Sequence, residues 1–405
     1  MKVCVVGMGY IGLPTSLMMA SHGVDTVGVD YDASKIASLK AGHVTFEEEG
    51  LEELFHDAVK AGISFETGYP AADMYVISVP TPYDKDTKKI DASYVTAAVK
   101  SVLKVCPRGA ILSIESTISP GTIDRFVRPA VEEEGFVIGR DVHLAHTPER
   151  IIPGNMVYEL LHNSRTIGVD EPAVGEQVKE VYASFCQGSM VITDIRTAEM
   201  TKVVENTYRD INIAFANELA KICREDDMDV YEIIRIANMH PRVNILQPGP
   251  GVGGHCISVD PWFLVGDYPE LSKLIHTARL TNDGMPDFVL QRMAEIMKEN
   301  GITDMSRVGM YGLTYKENVD DVRESPTLQL LERPRSEGLK IYDPWVKRDL
   351  VAHQYHDLDA FLGDVDMVVV MVGHSQLKEA FEKLAGKVVL DTRNICPAGD
   401  KVYKL

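Results

Sequence analysis

The sequence feature that constrains the fold most is a glycine-rich turn close to the start of the chain. It spans Gly7 to Gly12, follows the apolar run Val3–Val6 and precedes a stretch with helical spacing. Glycines in this pattern permit a tight turn and let the backbone approach a pyrophosphate at a helix N-terminus. Asp30, at the end of the next apolar run, can hydrogen-bond an adenosine ribose and repel a 2′-phosphate. The pattern therefore predicts a Rossmann domain that binds NAD rather than NADP.

Further apolar runs extend this pattern and repeat it towards the C-terminus. Runs typical of buried parallel strands lie at 3–6, 26–29, 74–79 and 110–114, and shorter ones near 142–145, 165–169 and 190–192. A second series lies at 308–313, 341–343, 366–372 and 388–392. The chain is therefore predicted to be an α/β protein with two Rossmann-like, doubly wound parallel sheets, each binding ligands at the carboxyl ends of its strands.

A helical segment is predicted between the two sheets. Residues 197–224 contain neither Gly nor Pro, and their apolar residues recur near the helical period, which predicts one long helix. Lys202, Asn206 and Arg209 lie on one face of that helix. Further helices are expected to about residue 300, interrupted by a Gly/Pro loop at 247–254. The predicted domains are 1–195 (NAD-binding), 196–300 (helical, with Lys202 and Cys256) and 301–405 (Rossmann-like).

Composition limits the partners and the compartment. The chain has 405 residues, with 60 acidic against 41 basic ones and a formal charge of −19, which opposes binding to nucleic acid or to an anionic membrane. The six cysteines show no paired or zinc-type spacing, and His255 and the pairs His143/His146 and His353/His356 lack complete ligand sets. No apolar run reaches the roughly 20 residues of a membrane span. We therefore expect a soluble, reduced, cytoplasmic protein without a metal ion.

Cys256 is the residue that most suggests a particular chemistry. It follows the glycine-rich stretch 251–254, and a nicotinamide site needs no thiol for a single hydride transfer. A cysteine in such a loop could trap an aldehyde covalently and so permit a second oxidation. Taken alone, however, a cysteine is more often a small buried hydrophobe, and Lys202 would be a solvated charge. Thr81 and Thr117 follow strand ends where a cofactor is expected, although turn chemistry explains them equally well.

Together these segments closely resemble the UDP-glucose/GDP-mannose dehydrogenase family, whose members oxidise the C6 alcohol of a nucleotide sugar to a uronic acid. The resemblance covers nearly the whole chain and rests on seven motifs in the expected order: 7–12, 79–82, 116–122, 148–150, 199–202 with Asn206, 253–256 and 320–326. Within the family, 146–154 and 244–256 are similar to the branch that acts on N-acetylated hexosamines. UDP-N-acetyl-D-mannosamine is the expected substrate, with UDP-N-acetylglucosamine and UDP-glucose as alternatives.

The resemblance also implies residue roles. In catalysis, Cys256 would be the nucleophile, Lys202 and Asn206 would stabilise the oxyanion, Asp260 and Thr117 would place water, and Glu149 would assist hydrolysis. The residues implied for NAD are Gly7, Gly9, Tyr10, Ile11, Gly12, Asp30, Lys35, Thr81, Thr117 and Arg323. Those implied for the UDP-sugar are Arg150, Ile151, Lys202, Asn206, Arg209, His240, Arg242, Gly253, Tyr315, Lys316 and Arg393.

Two other functions remain open from the residues. A two-electron β-hydroxyacid or phosphogluconate-type dehydrogenase shares the domain order and a helix lysine, but it leaves Cys256 and the third domain unexplained. An NAD-binding scaffold without activity would not need Cys256, Lys202, Asn206 and Asp260. The apolar stripe of the long helix suits a homodimer or a higher homo-oligomer, although it could equally be core. The helix after Pro326 is expected to be short because Pro334 follows it.

Overall fold

The structure is a computed structural model that describes residues 1–254 and 256–405. The chain folds into two compact units, Met1–Glu205 and Asn206–Leu405. The boundary between the units falls inside the long helix α8 (Ile195–Glu225), and this helix confirms the prediction made from the Gly- and Pro-free segment. The three domain boundaries proposed from the sequence stay a prediction.

The first unit contains an eight-stranded sheet with the order β3-β2-β1-β4-β5-β6-β7-β8. The strands are β1 (Lys2–Val6), β2 (Asp25–Val29), β3 (Ser64–Glu66), β4 (Met74–Ile77), β5 (Ala110–Ile114), β6 (Val142–His146), β7 (Arg165–Val169) and β8 (Met190–Thr193). The helices are α1 (Gly12–Ser21), α2 (Ala33–Lys40), α3 (Leu51–Ala61), α4 (Ser93–Leu103), α5 (Arg128–Glu133), α6 (Met156–His162) and α7 (Pro172–Ala183). A π-helical turn, Ile123–Val127, precedes α5.

Helices cover both faces of this sheet. Alternate residues of β1 enter two separate hydrophobic clusters, with Val3 and Val5 in one and Cys4 and Val6 in the other. Successive strand side chains point to opposite faces, so the two clusters lie on the two sides of the sheet. The doubly wound arrangement predicted from the continuous apolar runs is confirmed.

One strand departs from the parallel arrangement. β7 runs antiparallel to β6, with His146 paired to Gly168, and β8 is parallel to β7. After β6 the chain stays at the carboxyl edge, where the backbone N–H groups of Gly154 and Met156 donate to Glu48 at 2.8 and 3.1 Å. β7 therefore starts from the edge at which β6 ends.

The second unit repeats the strand order of the first six strands of unit one. Its six-stranded parallel sheet has the order β11-β10-β9-β12-β13-β14. The strands are β9 (Val308–Tyr311), β10 (Lys340–Tyr342), β11 (Gln354–Tyr355), β12 (Met367–Val370), β13 (Val388–Asp391) and β14 (Val402–Lys404). The helices after α8 are α9 (Val230–Ala237), α10 (Asp260–Asp267), α11 (Lys273–Asp283), α12 (Met285–Glu299), α13 (Pro326–Leu331), α14 (Leu358–Asp364) and α15 (Ser375–Lys378).

Two further expectations concern individual helices. α13 has only six residues and is followed by a 3-10 turn, Pro334–Ser336, which confirms the short helix expected from Pro334. Among the helices that the structure describes, none combines the length and apolarity needed to cross a bilayer.

Candidate functional site

The glycines of the turn after β1 have two different roles: two are required by internal packing, and one leaves room for a ligand. Gly7 has φ +96°, and a Cβ there would overlap the carbonyl oxygen of Ser78. A Cβ at Gly12 would overlap the carbonyl oxygen of Gly7. A Cβ at Gly9 would meet no atom within 4 Å. Internal packing therefore explains Gly7 and Gly12, whereas the open space at Gly9 fits the close approach of a pyrophosphate to the start of α1.

Asp30 lies immediately after β2 and is almost completely buried. Its Oδ2 accepts hydrogen bonds from the backbone N–H of Met8 and from Lys35 Nζ, both at 2.8 Å, and its Oδ1 accepts from the N–H of Asp32 at 2.9 Å. The structure thus brings Asp30 and Lys35, both predicted for NAD, beside the glycine turn. The contact with Met8 ties the carboxylate directly to that turn.

Other predicted cofactor residues surround the same edge of the first sheet. Thr81 Oγ1 donates to the carbonyl oxygen of Thr117 at 2.7 Å, which joins the loops that follow β4 and β5. The Tyr10 ring stacks on Phe46 with 4.2 Å between ring centroids. Ile11 is partly buried against the core of the first unit. These residues therefore lie where a doubly wound sheet binds its ligand.

Glu149 is held by an arginine that the sequence reasoning missed. Arg165 Nη2 lies 2.5 Å from Glu149 Oε2, an ion pair in which both side chains are buried. The backbone N–H of Arg150 donates to Glu149 Oε1 at 2.7 Å. If the antiparallel pairing of His146 with Gly168 is continued along the two chains, residue 149 stands opposite residue 165. The signal in the sequence was an arginine at the start of an apolar strand.

A second buried carboxyl group faces the same arginine. Glu115 Oε1 accepts a hydrogen bond from the Tyr182 hydroxyl at 3.1 Å, and the Arg165 guanidinium lies 4.4 Å from the centroid of the Tyr182 ring. Burial raises the pKa of Glu115 to about 8, with a contribution from nearby Glu149, while Arg165 opposes the shift. Glu115 is therefore mostly protonated at neutral pH, so the positive charge of Arg165 is paired with the Glu149 carboxylate alone.

Glu199 fixes the beginning of α8 to the loop that follows Thr117. Its carboxylate accepts hydrogen bonds from the backbone N–H groups of Gly121 at 2.5 Å and Ile123 at 2.9 Å. Burial raises the pKa of Glu199 to about 7 although both hydrogen bonds lower it. Lys202 lies one turn further along α8 and is only 6% exposed. Within the described part of the first unit, no residue forms a hydrogen bond or ion pair with Lys202.

Arg150 is engaged inside the first unit. Its Nε is 2.7 Å from a Glu205 carboxylate oxygen, Nη1 donates to the carbonyl oxygen of Ser164 at 2.9 Å, and Nη2 donates to Thr166 Oγ1 at 2.8 Å. An anionic ligand would compete with these acceptors, so substrate binding by Arg150 stays a prediction. Ile151, predicted beside it, is buried in the core of the unit.

In the second unit, Cys256 is exposed and lies four residues before Asp260, the first residue of α10. Its carbonyl oxygen accepts hydrogen bonds from the backbone N–H groups of Val259 at 3.1 Å and Asp260 at 2.9 Å. Asn206 Nδ2 donates to Asp260 Oδ2 at 2.6 Å, and both side chains are buried. The structure therefore brings together three of the predicted catalytic residues, Cys256, Asp260 and Asn206.

The glycines before Cys256 pack against the loop between β9 and α13. A Cβ at Gly253 would lie 2.6 Å from the carbonyl oxygen of Glu324 and 2.7 Å from Tyr315 Cβ. A Cβ at Gly254 would lie 2.8 Å from the Tyr315 ring, and the Gly254 N–H donates to the carbonyl oxygen of Arg323 at 2.9 Å. Close packing thus requires both glycines and brings Gly253 and Tyr315, predicted for the substrate, into contact.

Other predicted ligand residues of the second unit lie at several positions. A Cβ at Gly249 would lie 2.8 Å from Arg393 Nη1, so the guanidinium lies against the glycine-rich loop. His240 Nδ1 accepts from the backbone N–H of Arg242 at 3.3 Å, and both residues are exposed after α9. Arg209 is exposed on α8. Arg209, His240 and Arg242 are therefore accessible to an anionic ligand.

The loop after β9 carries the last two predicted ligand residues. Arg323, predicted for NAD, forms an ion pair with Asp321 at 2.6 Å. The carbonyl oxygen of Lys316 accepts a hydrogen bond from Thr314 Oγ1 at 2.8 Å. Across residues 1–254 and 256–405 no group of three or more His, Cys, Asp or Glu side chains is arranged to hold a metal ion.

Comparison with known families matches three consecutive parts of the chain. Residues 1–186 match the NAD binding domain of the UDP-glucose/GDP-mannose dehydrogenase family, residues 196–284 its central domain and residues 309–398 its UDP binding domain. These matches follow the order of the two sheets and the intervening helices.

Individual relatives support the same assignment. A UDP-N-acetyl-D-mannosamine dehydrogenase from Methanococcus vannielii is 42% identical over 408 residues, covering 97% of this chain and 93% of the relative. An NDP-N-acetyl-D-galactosaminuronic acid dehydrogenase from Ralstonia nicotianae is 39% identical, covering 98% and 96%. The solved UDP-N-acetyl-mannosamine dehydrogenase of Staphylococcus aureus is 42% identical, with a TM-score of 0.88 and coverage of 100% and 98%.

The fold, the site and these matches define an NAD-dependent nucleotide-sugar dehydrogenase. The chain belongs to the UDP-glucose/GDP-mannose dehydrogenase family. The prediction of NAD as cofactor is confirmed, and so is the family resemblance drawn from the seven motifs.

Proposed function

We propose that this chain oxidises the C6 hydroxyl of UDP-N-acetyl-D-mannosamine to a carboxylate, in two NAD-dependent oxidations with a covalent intermediate on Cys256. The observation that carries the proposal is the exposed Cys256 four residues before Asp260, whose carboxylate accepts a hydrogen bond from buried Asn206. The names of the relatives from M. vannielii and S. aureus support this sugar.

NAD supplies a hydride acceptor for each oxidation. In the first unit, the open space at Gly9 would admit the pyrophosphate, and Asp30 with Lys35 would hold the adenosine ribose. Thr81 and Thr117, joined across the ends of β4 and β5, would face the nicotinamide. The first unit therefore has the residues needed to bind and orient the cofactor.

The role of Cys256 follows from the aldehyde left by the first oxidation. Its thiolate adds to C6 and forms a thiohemiacetal, which retains the hydrogen removed in the second oxidation. The product of that oxidation is a thioester. Lys202 and Asn206 stabilise the negative oxygen that develops at C6 in these steps, and one such donor typically contributes about 3 kcal/mol.

Hydrolysis of the thioester releases the uronic acid and regenerates the Cys256 thiol. Glu149 is proposed to accept a proton from the attacking water, because its carboxylate is oriented by Arg165 and by the backbone N–H of Arg150. Asp260, fixed by its hydrogen bond to Asn206, is proposed to orient that water.

Substrate affinity is proposed to come mainly from the nucleotide. The formal charge of −19 disfavours a diphosphate at most of the surface, so a few placed cations must hold it. Arg209, Arg242 and Arg393 are the basic residues that we assign to this task, together with Lys316. Gly253 and Tyr315 would shape the wall of the site beside them.

A second candidate function has a specific observation in its favour. The R. nicotianae relative, 39% identical over nearly the full length, is named for an N-acetyl-D-galactosaminuronic acid, so a different hexosamine epimer is the main alternative substrate. A two-electron dehydrogenase or a silent NAD-binding scaffold would leave the exposed Cys256 and the Asn206–Asp260 pair without a role.

The test is a substrate panel with product analysis by mass spectrometry. UDP-N-acetyl-D-mannosamine, its glucosamine and galactosamine epimers, UDP-glucose and GDP-mannose are compared by kcat/KM. We expect the mannosamine compound to give the highest kcat/KM and a uronic acid as product. A higher value with another epimer would transfer the mechanism to that sugar, whereas an aldehyde product would contradict the four-electron function.

We also propose that the chain acts as a cytoplasmic homodimer that supplies a uronic-acid donor for polysaccharide biosynthesis. Tyr208, Phe215 and Ile222 repeat every seven residues on α8 and are 64%, 50% and 50% exposed, which gives one face of the helix an apolar stripe. A second copy of the same helix could cover it. Light scattering should give a dimer mass for the wild type and a monomer mass for Phe215→Lys, and an unchanged mass would contradict this interface.

A further inference from the structure

The segment that leads to the catalytic cysteine has no regular secondary structure of its own. Residues 244–254 contain Pro248 and Pro250, which lack an N–H group, and four glycines. Backbone N–H groups in such a segment need partners elsewhere, because an unpaired buried donor is costly. In the structure, side-chain amides accept from three of these N–H groups, those of Ile245, Leu246 and Gly249.

Two asparagines hold the first part of the segment. Asn212 Oδ1 accepts from the N–H of Leu246 at 3.0 Å, and Asn212 Nδ2 donates to the carbonyl oxygen of Asn244 at 2.9 Å. Asn238 Oδ1 accepts from the N–H of Ile245 at 2.7 Å, and Asn238 Nδ2 donates to the carbonyl oxygen of the same residue at 2.9 Å. Each amide therefore forms both a donor and an acceptor contact with the loop backbone.

A third asparagine holds the loop from inside the helical core. Asn217 Oδ1 accepts from the N–H of Gly249 at 2.9 Å, and its Nδ2 donates to Asn282 Oδ1 at 2.8 Å. Asn282 donates in turn to the Asp210 carboxylate at 2.8 Å, which Arg279 pairs at 2.5 Å. These four polar side chains are at most 1% exposed. A buried polar network with paired charges thus fixes the orientation of the Asn217 amide.

Asn212, Asn217 and Asn238 together form what we call the asparagine clamp. Asn212 and Asn217 project from α8, and Asn238 follows the last residue of α9, so the clamp fixes 244–249 to two helices. The other end of the segment is fixed by Gly253 and Gly254, which pack against Tyr315. The short stretch between the two attachments is thus held at both ends, and Cys256 lies two residues beyond Gly254.

We propose that the asparagine clamp positions the segment 244–254, which leads to Cys256, for the UDP-sugar. This inference rests on the function proposed above. The three asparagines are positioning residues, because they act through the loop backbone on Gly253 and Cys256 rather than through the substrate. Preorganised loops bind and orient a substrate better, since the cost of ordering them is already met before binding.

The test combines amide exchange with kinetics on Asn212→Ala and Asn238→Ala. Hydrogen exchange should accelerate at Leu246 in the first variant and at Ile245 in the second. The KM for the UDP-sugar should rise about tenfold, whereas the KM for NAD should change less than about twofold, because the NAD residues Gly9 and Asp30 belong to the other unit. Asn212 is only half-buried, so its variant is expected to fold even if a change at Asn217 is not tolerated.

Asn300→Ala is the matched control, because Asn300 donates to the carbonyl oxygen of Ile296 and to the Tyr403 hydroxyl, far along the chain from the loop. It should leave both KM values and the loop exchange unchanged. Unchanged exchange in the clamp variants, or faster exchange with an unaltered UDP-sugar KM, would overturn the proposal.

The proposed function and the clamp can fail separately. If the wild type turns over no UDP-sugar, the proposed function fails, while amide exchange still decides whether the clamp holds the loop. Calorimetric binding of UDP then replaces KM as the readout. Equal UDP affinity in the wild type and the Asn212→Ala variant would in that case refute the positioning role.

Discussion

The two sheets share one strand order, but their carboxyl edges are built differently. In the first sheet, β1 is followed by Gly7 with φ +96°, and in the second, β9 is followed by Gly312 with φ +106°. Each glycine packs against a residue just beyond the end of the neighbouring strand. Gly7 packs against Ser78, after β4, and Gly312 packs against Val372, after β12. Beyond this turn the likeness ends: α1 begins at once in the first unit, whereas a loop of more than ten residues precedes α13 in the second.

The carboxylates at the two edges show the same contrast. Asp30 and Asp343 each follow the second strand of their sheet and accept hydrogen bonds from the turn after the first strand. Asp30 pairs with Lys35 near the open space at Gly9. The Asp343 side chain is completely buried and lies 3.2 Å from His374 Nε2. Because His374 Nδ1 accepts from a backbone N–H, the ring hydrogen is on Nε2 and points towards Asp343.

This difference shows how one topology serves two kinds of ligand. The first edge keeps an open glycine and a helix N-terminus for a pyrophosphate, as a dinucleotide requires. In the second sheet, Asp343 corresponds to Asp30, and its buried carboxylate is used for structure. The exposed polar residues at this edge lie instead in the loop 314–323. This placement agrees with the match of the region to a UDP binding domain.

Asp343→Asn should produce the largest effect, by breaking the closed edge of the second sheet. The carboxylate accepts from the N–H groups of Leu313 and Trp345 at 2.6 and 2.7 Å, and an amide cannot satisfy all these donors. We expect a loss of about 4 kcal/mol in the free energy of unfolding. Burial opposes ionisation, but the hydrogen bonds outweigh it and lower the pKa of Asp343.

The pH dependence of that loss follows from the sign of the shift. A lowered pKa means that the carboxylate stabilises the fold above the unfolded-state pKa near 3.8, and that this contribution disappears as the pH falls below it. Denaturant unfolding of both proteins at several pH values should show a constant gap at neutral pH that narrows only in acid. A gap that widens in acid would show that Asp343 is not held as a carboxylate.

Gly9→Val would test the open edge of the first sheet. Its side chain meets no protein atom within 4 Å at the Cβ position, so we expect a nearly unchanged melting temperature. The same side chain would occupy the space assigned to the pyrophosphate and weaken NAD binding about a hundredfold, or about 3 kcal/mol. Fluorescence titration with NADH measures the affinity, and wild-type affinity would mean that Gly9 does not face the cofactor.

Glu115→Gln should have the opposite effect on stability from Asp343→Asn. The pKa of Glu115 is raised from 4.5 to about 8, so the wild-type fold loses stability as the pH rises from 4.5 to 8 while the unfolded chain ionises. Glutamine avoids part of this cost, and we expect a gain of about 2 kcal/mol at pH 8 that vanishes near pH 4. Thermal unfolding across this range checks it. A variant that is less stable than the wild type at pH 8 would argue for an ionised Glu115.

Asp30→Asn should give the smallest effect, on cofactor choice. Removing the carboxylate removes the repulsion of a 2′-phosphate and frees Lys35 to pair with it. We expect the preference for NAD over NADP, as a ratio of kcat/KM, to fall about tenfold, or about 1.4 kcal/mol. Asp57→Asn, which alters an exposed carboxylate paired with Lys60, is the control and should keep the wild-type ratio.

The sequence predicted where the strands and helices lie along the chain better than it predicted the direction of each strand within its sheet. Buried parallel strands are continuous apolar runs, so β4, β5 and β12 were evident, and the Gly- and Pro-free segment predicted α8. Nothing in an apolar run states which way the strand points, and the antiparallel β7 was therefore not foreseen. The Arg165–Glu149 pair depends on that direction and on the register, so it was missed as well.

The candidate site likewise has a part that the sequence predicted and a part that it did not. Motifs identified Cys256, Asp260 and Asn206, and the structure places these three together in the second unit. The asparagine clamp was not predicted, because an asparagine on a helix resembles any polar surface residue and its partners are backbone atoms of an irregular loop. Residue type alone therefore does not predict these contacts, and they can be identified only in the three-dimensional structure.

The central claim is a four-electron oxidation with Cys256 as the covalent residue, and the NADH formed per sugar consumed tests it most directly. With UDP-N-acetyl-D-mannosamine in limiting amount, the wild type should form two NADH per sugar and release a uronic acid, whereas Cys256→Ser should lose full turnover. One NADH per sugar in the wild type, or acid formed at the normal rate by Cys256→Ser, would contradict the account.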